Sequence, residues 1–176
     1  NTQNLLVTGP MSEMDETLYE LGISTFSLKD WENPKRLIPD FGCSHPIVLD
    51  QVVYAVKERN PNISTKVDPQ NIPRILKVNL DGTHLTYLAD LPPESFDFAW
   101  NPKLLELAFY GDKGIGIINL QENKELKYLP IQDLTIRSAH HIPEKDYRTT
   151  FLGWHPFGDW VFLMTGKQVI GIRSKD

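Results

Sequence analysis

The 176 residues predict an all-β fold built from repeated antiparallel units. Short apolar runs are bounded by turn residues, which is typical of strands. Thirteen prolines are spread along the chain and leave few stretches long enough for helices. Two different motifs also recur in the same order, which indicates a repeat architecture. The clearest strand signals are Leu5–Thr8, Val52–Val56, Leu107–Tyr110 and Val161–Met164.

The first motif is a proline preceded by a polar residue. It occurs as Ser44-His45-Pro46, Trp100-Asn101-Pro102 and Trp154-His155-Pro156. The prolines are 56 and 54 residues apart, from 46 to 102 and from 102 to 156. We expect one strand before each proline and a second strand after it. Because His45, Asn101 and His155 occupy equivalent positions, a structural role in a turn is favoured over catalysis.

The second motif ends a third strand and is followed by a polar turn. It occurs as Phe26-Ser27-Leu28, Val78-Asn79-Leu80 and Ile118-Asn119-Leu120. After each turn the chain re-enters a strand that closes the unit. Asp81-Gly82 is a strong signal for a hairpin turn at one of these places.

Together the motifs define a unit of four strands, and four-stranded units of this length are typical of β-propeller blades. The sequence therefore predicts a single β-propeller-like domain over residues 1–176, with about 3.5 antiparallel blades. The first unit begins at its second strand and the last ends after its third. The approximate units are 1–40, 41–91, 92–131 and 149–176. The alternative is one antiparallel sandwich with accidental similarity between segments.

The number of blades leaves the closure of the propeller open, because closed propellers typically have four to eight. The chain is either part of a larger propeller, a tight or incomplete four-bladed form, or one half of a homodimer that completes the ring. The dimer hypothesis is motivated by the two incomplete units, whose open strand edges would otherwise expose unpaired backbone groups.

The repeats resemble those of the TolB-like and WD-repeat propeller families. Residues 154–159, Trp-His-Pro-Phe-Gly-Asp, and residues Lys77–Thr83 carry the likeness to TolB-type repeats. The Trp-Asp pair of true WD repeats is missing. The resemblance implies the fold far more than an activity. It favours a periplasmic or secreted location and leaves the cytoplasm open. A shorter segment, Ser27–Pro34, is similar to a turn of five-bladed glycoside hydrolases and phosphorylases.

Three long insertions predict a binding face. They are Pro10–Tyr19, Lys57–Arg74 and Gln132–Thr150, and all connect strands two and three or adjacent blades. In a propeller these connections share one face, and unusually long loops are often functional. We expect this face to bind a protein partner. The candidate binding residues are Arg59, Lys66, Arg137, His140, His141 and Asp146.

Composition and motifs argue against several other functions. The net charge of −5 and a pI near 5.5 disfavour nonspecific nucleic-acid binding. No apolar run approaches the roughly 20 residues of a membrane span. The pair His140-His141 is read as solvated loop residues, so neither a metal nor a cofactor is predicted. No nucleophile or phosphate-binding motif is found, and Gly114-Ile115-Gly116 is interpreted as close backbone packing within a strand.

These observations predict a noncatalytic propeller module that binds a protein partner. One alternative is a carbohydrate-active enzyme or carbohydrate-binding domain, similar to glycoside hydrolases. Such an enzyme needs two carboxylates about 5 to 9.5 Å apart, and nothing selects a pair among the strand carboxylates, Glu106 included. Another alternative is a domain of a larger propeller-containing enzyme.

Cys43, as the only cysteine, is expected to be a buried thiol.

Overall fold

The computed structural model describes residues 4–9, 22–27, 30–38, 42–60, 68–121, 124–129, 150–165 and 168–174. Within these ranges the chain forms fourteen strands in four antiparallel sheets, which are named A to D here. The chain divides into two compact units, Asn1–Pro93 and Glu94–Asp176. Each sheet falls inside one of the predicted repeat units. That residues 1–176 form a single domain stays a prediction.

The first unit contains sheets A and B. Sheet A consists of β1 (Asn4–Gly9), β2 (Gly22–Ser27) and β3 (Asp30–Ile38), and sheet B of β4 (Cys43–Leu49), β5 (Val52–Lys57), β6 (Arg74–Asn79) and β7 (Thr86–Asp90). Strands are neighbours in chain order within both sheets. Their apolar faces share a core of Ile23, Leu37, Ile38, Cys43, Val53, Ala55, Leu76 and Val78. The expectation of a buried Cys43 thiol is thus confirmed.

The second unit contains sheets C and D. Sheet C consists of β8 (Phe96–Trp100), β9 (Glu106–Gly111), β10 (Gly114–Asn119) and β11 (Leu126–Tyr128), and sheet D of β12 (Thr150–Trp154), β13 (Trp160–Thr165) and β14 (Gln168–Arg173). The core of this unit combines residues of both sheets: Ala108, Tyr110, Ile115, Ile117, Leu129, Leu152, Val161 and Leu163. The Trp154 indole N–H donates to the Ala99 carbonyl at 2.9 Å, so this recurring tryptophan joins the two sheets.

The repeat is also visible in backbone hydrogen bonds. In three sheets, the residue after the third strand donates its N–H to the residue before the second strand. Leu80 donates to Gln51 at 3.0 Å, Leu120 to Leu105 at 2.9 Å, and Ser174 to Asp159 at 3.0 Å. The three acceptors, at positions 51, 105 and 159, are separated by 54 residues in each case. The sequence repeat of about 54 residues therefore corresponds to residues that occupy equivalent backbone positions in the three sheets.

One expectation about the first motif is wrong. Pro102 and Pro156 lie between the first and second strands of their sheets, as predicted, but Pro46 lies inside β4. The strand accommodates Pro46, which has no N–H to donate, at a bulge between Ser44 and Ile47 where His45 has a φ of 51°. The turn of this sheet is instead Asp50-Gln51, whose positive φ values suit a tight hairpin.

Candidate functional site

Arg59 is the one member of the predicted binding set that falls within the described residues. It follows β5 directly and is half-buried. Lys66, Arg137, His140, His141 and Asp146 lie outside the described ranges, so their role stays a prediction. The part of the predicted binding face that the structure describes is therefore the end of sheet B, where the insertion between β5 and β6 leaves and returns.

A row of charged residues marks this end of sheet B. Lys57 is the last residue of β5 and pairs with Arg74, the first residue of β6. Arg74 pairs in turn with Asp90, the last residue of β7. The antiparallel register thus brings three charges together from segments that are distant in the sequence. We call Lys57, Arg59, Arg74, Tyr87 and Asp90 the Tyr87 patch.

Tyr87 supplies the aromatic part of the patch. Tyr87 is 47% exposed, which is high for a residue with a large aromatic side chain. The Lys57 ammonium nitrogen lies 6.0 Å and the Arg74 guanidinium carbon 5.7 Å from the centre of its ring. Both distances are within the range in which a cation is attracted to an aromatic ring. The ring is therefore held at the surface between two cations.

The Arg74 guanidinium is fixed by neighbours on both sides. Its Nε lies 3.0 Å from Asp90 Oδ1, and its Nη2 donates to Gln70 Oε1 at 2.5 Å. The Arg74 side chain is 23% exposed, whereas that of Asp90 is 64% exposed. The patch therefore holds a largely buried cation whose carboxylate partner faces solvent.

The base of the insertion is closed by paired amides. The Asn60 N–H donates to Asn71 Oδ1 at 2.8 Å, and the Asn71 side-chain amide donates back to the Asn60 carbonyl at 2.9 Å. The Gln70 N–H also donates to Asp68 Oδ1 at 2.9 Å. These bonds tie the outgoing chain to the returning chain. The two ends of the insertion are thus joined by hydrogen bonds at its base.

Ser44, His45 and Glu58 form a second cluster at the start of the insertion. The Ser44 hydroxyl donates to the Glu58 carboxylate and lies 2.6 Å from His45 Nδ1. Because the Ser44 hydroxyl directs its proton at Glu58, His45 Nδ1 is the donor in its contact with that hydroxyl. A serine nucleophile would need the opposite arrangement, in which the histidine accepts its proton. The cluster is suited to anchoring Glu58, whose N–H also donates to the Gly42 carbonyl at 2.9 Å.

The Glu58 contacts predict a pH dependence. The hydrogen bond from His45, with that from Ser44, lowers the pKa of Glu58 from its ordinary value near 4.5, although burial acts in the opposite direction. The stabilisation is therefore present above pH 4.5 and is lost as the pH falls through the lowered pKa. We expect His45→Gln to raise the pKa of Glu58 more than Ser44→Ala, as measured by NMR titration of the carboxyl carbon. Equal pKa values in wild type and both variants would contradict this assignment.

The second unit contains a small polar cavity of about 180 Å³. Its lining residues are Glu106, Ile117, Asn119, Glu125, Lys127 and Ser174. The Glu106 carboxylate accepts the side-chain amides of Asn101 at 3.0 Å and Asn119 at 3.1 Å, which fixes its orientation. Typical ligand pockets are larger, about 300 to 1,000 Å³. The cavity is therefore of a size for a small polar molecule.

The sequence analysis named Glu106 but missed Glu125 and Lys127. Glu125 directly precedes β11 and Lys127 lies within it, and β10 holds this strand against the cavity through the pairs Ile117–Lys127 and Ile118–Leu126. No spacing motif signals this arrangement, because it depends on the register of a three-residue strand. Among the residues that the structure describes, no group of three or more His, Cys, Asp or Glu side chains is placed to hold a metal ion.

Comparison with solved structures identifies the fold. TolB from Acinetobacter baumannii matches with a TM-score of 0.60 over 99% of this chain, at 12% sequence identity. The fold is that of a β-propeller. A gluconolactonase from Xanthomonas campestris matches over 87% of this chain with a TM-score of 0.54 and 13% identity. The structure of a nidogen/laminin complex matches over 88% with a TM-score of 0.52 and 16% identity.

The comparisons confirm an all-β propeller fold and a structural resemblance to TolB. The chain spans 40% of the length of the TolB chain, 52% of the gluconolactonase and 54% of the nidogen/laminin match, so the similarity covers part of a propeller. No family model matches the sequence, and no curated protein matches it. The matched propellers include an enzyme and a structure of a protein complex, so the likeness describes the fold alone.

No helix in the described ranges is long and apolar enough to cross a membrane.

Proposed function

We propose that this chain is a noncatalytic β-propeller module that binds a protein partner through its face of long insertions. The observation that carries the proposal is the Tyr87 patch at the base of the insertion between β5 and β6. Tyrosine and arginine are enriched in protein interfaces and among their energetically dominant residues. Here an exposed tyrosine ring lies against the Arg74 and Lys57 cations.

The ordered base of the insertion supports this proposal. The amide pair Asn60–Asn71 and the Ser44 cluster hold both ends of the insertion through contacts within the chain. Preorganisation reduces the conformational entropy that is lost when a loop binds. A nidogen/laminin complex is among the structures with a similar fold, so the fold is compatible with protein recognition.

The proposal is tested by photo-crosslinking from the patch. A photoreactive residue replaces Tyr87 in one variant and Lys113, in the exposed turn after β9, in a control variant. We expect specific crosslinked proteins from position 87 only, identified by mass spectrometry. Shortening the insertions within 10–19, 58–73 and 132–150 should abolish these crosslinks and leave the circular dichroism spectrum unchanged. Crosslinks that persist after shortening, or that are identical from both positions, would overturn the proposal.

A carbohydrate-related function is the second candidate, and the cavity at Glu106 favours it. Two carboxylates, a lysine and an amide suit recognition of the hydroxyl groups of a small sugar or sugar acid. The gluconolactonase is one of the similar folds. None of the residues that line the cavity belongs to the three insertions. The loop-shortened variant should therefore keep any saccharide binding and lose protein binding, which separates the two candidates.

Assembly into a complete propeller is a further part of the proposal. A homodimer, or a larger propeller-containing enzyme of which this chain is one domain, would supply the remaining blades. Light scattering during size-exclusion chromatography distinguishes these states. A mass of about twice 20.2 kDa supports the homodimer, and a mass near 20.2 kDa contradicts it.

A further inference from the structure

We propose that the Tyr87 patch recognises an acidic segment of its partner, with one carboxylate of that segment taking the place of Asp90 on Arg74. This inference rests on the proposed protein-binding function and gives the chemistry of the partner. It follows from three features of the patch: the position of Asp90, the cations around Tyr87, and the local charge.

Asp90 is a carboxylate already bound at the site. It lies 3.0 Å from Arg74 Nε while remaining 64% exposed. Arg74 therefore already pairs with a carboxylate that faces solvent. Because the Asp90 carboxylate faces solvent, an incoming carboxylate can compete with it for Arg74. The contacts of Arg74 with Gln70 and with the Tyr87 ring keep the guanidinium oriented during an exchange.

The Tyr87 ring extends the site beyond one carboxylate. Lys57 and Arg74 both lie about 6 Å from its centre, so an acidic chain that crosses the ring meets two cations in succession. The ring also offers apolar area to the methylene groups of glutamate side chains. A partner segment with two or more acidic residues fits this arrangement better than an isolated anion.

The charge around the patch differs from that of the whole chain. The protein carries a net charge of −5, yet Lys57 and Arg74 are paired at one end of sheet B, and Arg59 follows two residues after Lys57. The nearby Glu58 carboxylate is engaged by Ser44 and His45. Asp68 accepts the Gln70 N–H, and Asp90 is the carboxylate that pairs with Arg74 and that a partner would displace. Complementary charge of this kind favours specific and rapid association with an acidic partner.

The experiment measures fluorescence anisotropy of labelled ten-residue peptides with the full chain. The peptides alternate glycine with glutamate, glutamine or lysine. We expect the glutamate peptide to bind and the other two to bind at least ten-fold more weakly. Raising the salt from 50 to 200 mM should weaken binding several-fold, because exposed charges are screened.

Variants connect the binding to the patch. Asp90→Asn removes the internal competitor and should tighten binding of the glutamate peptide about five-fold, while Lys57→Gln should weaken it about five-fold. Lys113→Gln is the matched control, because the Lys113 ammonium also lies over a tyrosine ring, Tyr128, at 5.6 Å. It should leave binding unchanged. Asp90→Ser serves as a second variant should the asparagine variant unfold, and melting curves verify folding.

The outcomes separate this inference from the function on which it rests. Equal binding of the glutamate and glutamine peptides, a lack of tightening in both Asp90 variants, or an equal loss in Lys113→Gln and Lys57→Gln would overturn it. If position 87 still yields specific crosslinks in that case, protein binding stands and the partner is recognised by other chemistry. If the crosslinking fails while the glutamate peptide binds as expected, the patch is an anion site without a protein partner.

Discussion

Gly116→Ala is expected to reduce the free energy of unfolding by about 3 kcal/mol, the upper part of the range for an overpacked core. Gly116 in β10 pairs directly with Phe109 in β9, and the Phe109 ring lies over the glycine. A Cβ at position 116 would lie 2.3 Å from Phe109 Cζ and 2.8 Å from both Cε atoms. Such distances require the ring to move.

The Phe109 ring has little room to move. It is 1% exposed, and the edge of the Tyr128 ring lies against it with 6.3 Å between the ring centres. Displacing it would disturb the contact between β10 and β11, which is already limited to three residue pairs. Tight interiors transmit such changes because they contain few voids. The cost therefore includes both the clash and the lost packing of Phe109.

Guanidinium chloride unfolding and thermal melting measure this effect. For cooperative unfolding of the 176-residue chain, 3 kcal/mol corresponds to a fall of roughly 6 to 12 °C in Tm. Gly171→Ala is the matched control, because Gly171 also pairs with a phenylalanine, Phe162. Its Cβ would lie 2.8 Å from one ring atom, but the Phe162 ring is only half-buried and can turn aside. An equal or larger loss in Gly171→Ala would contradict the argument.

A double variant tests whether the ring is the cause. Combining Gly116→Ala with Phe109→Leu removes the ring that the new methyl group meets. The two substitutions should then cost less together than the sum of their separate effects, since neighbouring sites that share a contact are not additive. Strict additivity would mean that the glycine is required for a reason other than Phe109.

The repeat was predictable because its signals are local. Prolines, Asn-Leu pairs and an Asp-Gly turn each act within a few residues, and their recurrence defines the units. Gly114-Ile115-Gly116 was interpreted as close packing from the same local pattern, and the Phe109 ring on Gly116 bears this out. Pro46 was misplaced because the proline motif alone does not distinguish a turn from a bulge inside a strand.

The candidate site was only partly predictable, because it depends on register. The sequence placed Lys57 and Arg74 at the two ends of a long insertion but offered no reason to connect them with Tyr87 or Asp90. Those contacts arise when β6 pairs with both β5 and β7, including a register shift between Ile75 and Leu76. A shift of one residue reverses the face of every side chain that follows it, so the composition of the patch could not be read from spacing.

Asn101 is expected to be the most sensitive polar residue of the second unit. It is fully buried, and its amide makes four hydrogen bonds. Its Nδ2 donates to Glu106 Oε2 and to the Gly158 carbonyl, both at 3.0 Å. Its Oδ1 accepts the N–H groups of Lys103 at 2.9 Å and Leu104 at 3.1 Å. This one side chain thus orders the turn after β8, orients Glu106 and links sheet C to the turn of sheet D.

Asn101→Ala should reduce the free energy of unfolding by about 4 kcal/mol, because each buried partner left unsatisfied costs about 1 to 3 kcal/mol and four partners are affected. The turn of sheet D also packs closely against the amide. Gly158 has a φ of 75°, and a Cβ there would lie 2.5 Å from Asn101 Oδ1. Chemical unfolding followed by far-UV circular dichroism measures the loss. A loss below about 1 kcal/mol, the net value of a single ordinary hydrogen bond, would contradict this role.

Asn101→Asp keeps the shape of the side chain and tests its donors separately. The new carboxylate still accepts from Lys103 and Leu104 but faces the Glu106 carboxylate and the Gly158 carbonyl in place of the donated hydrogen bonds. Burial and the neighbouring negative charge should raise the pKa of the introduced carboxyl above its unfolded value of about 3.9. The folded state then binds a proton more readily than the unfolded state, so stability rises as the pH falls from 7 towards 5. Asn101→Ala introduces no titratable group, so its stability should follow the wild-type dependence on pH. If the stability of Asn101→Asp changes with pH in parallel with that of Asn101→Ala, Nδ2 is not the essential donor.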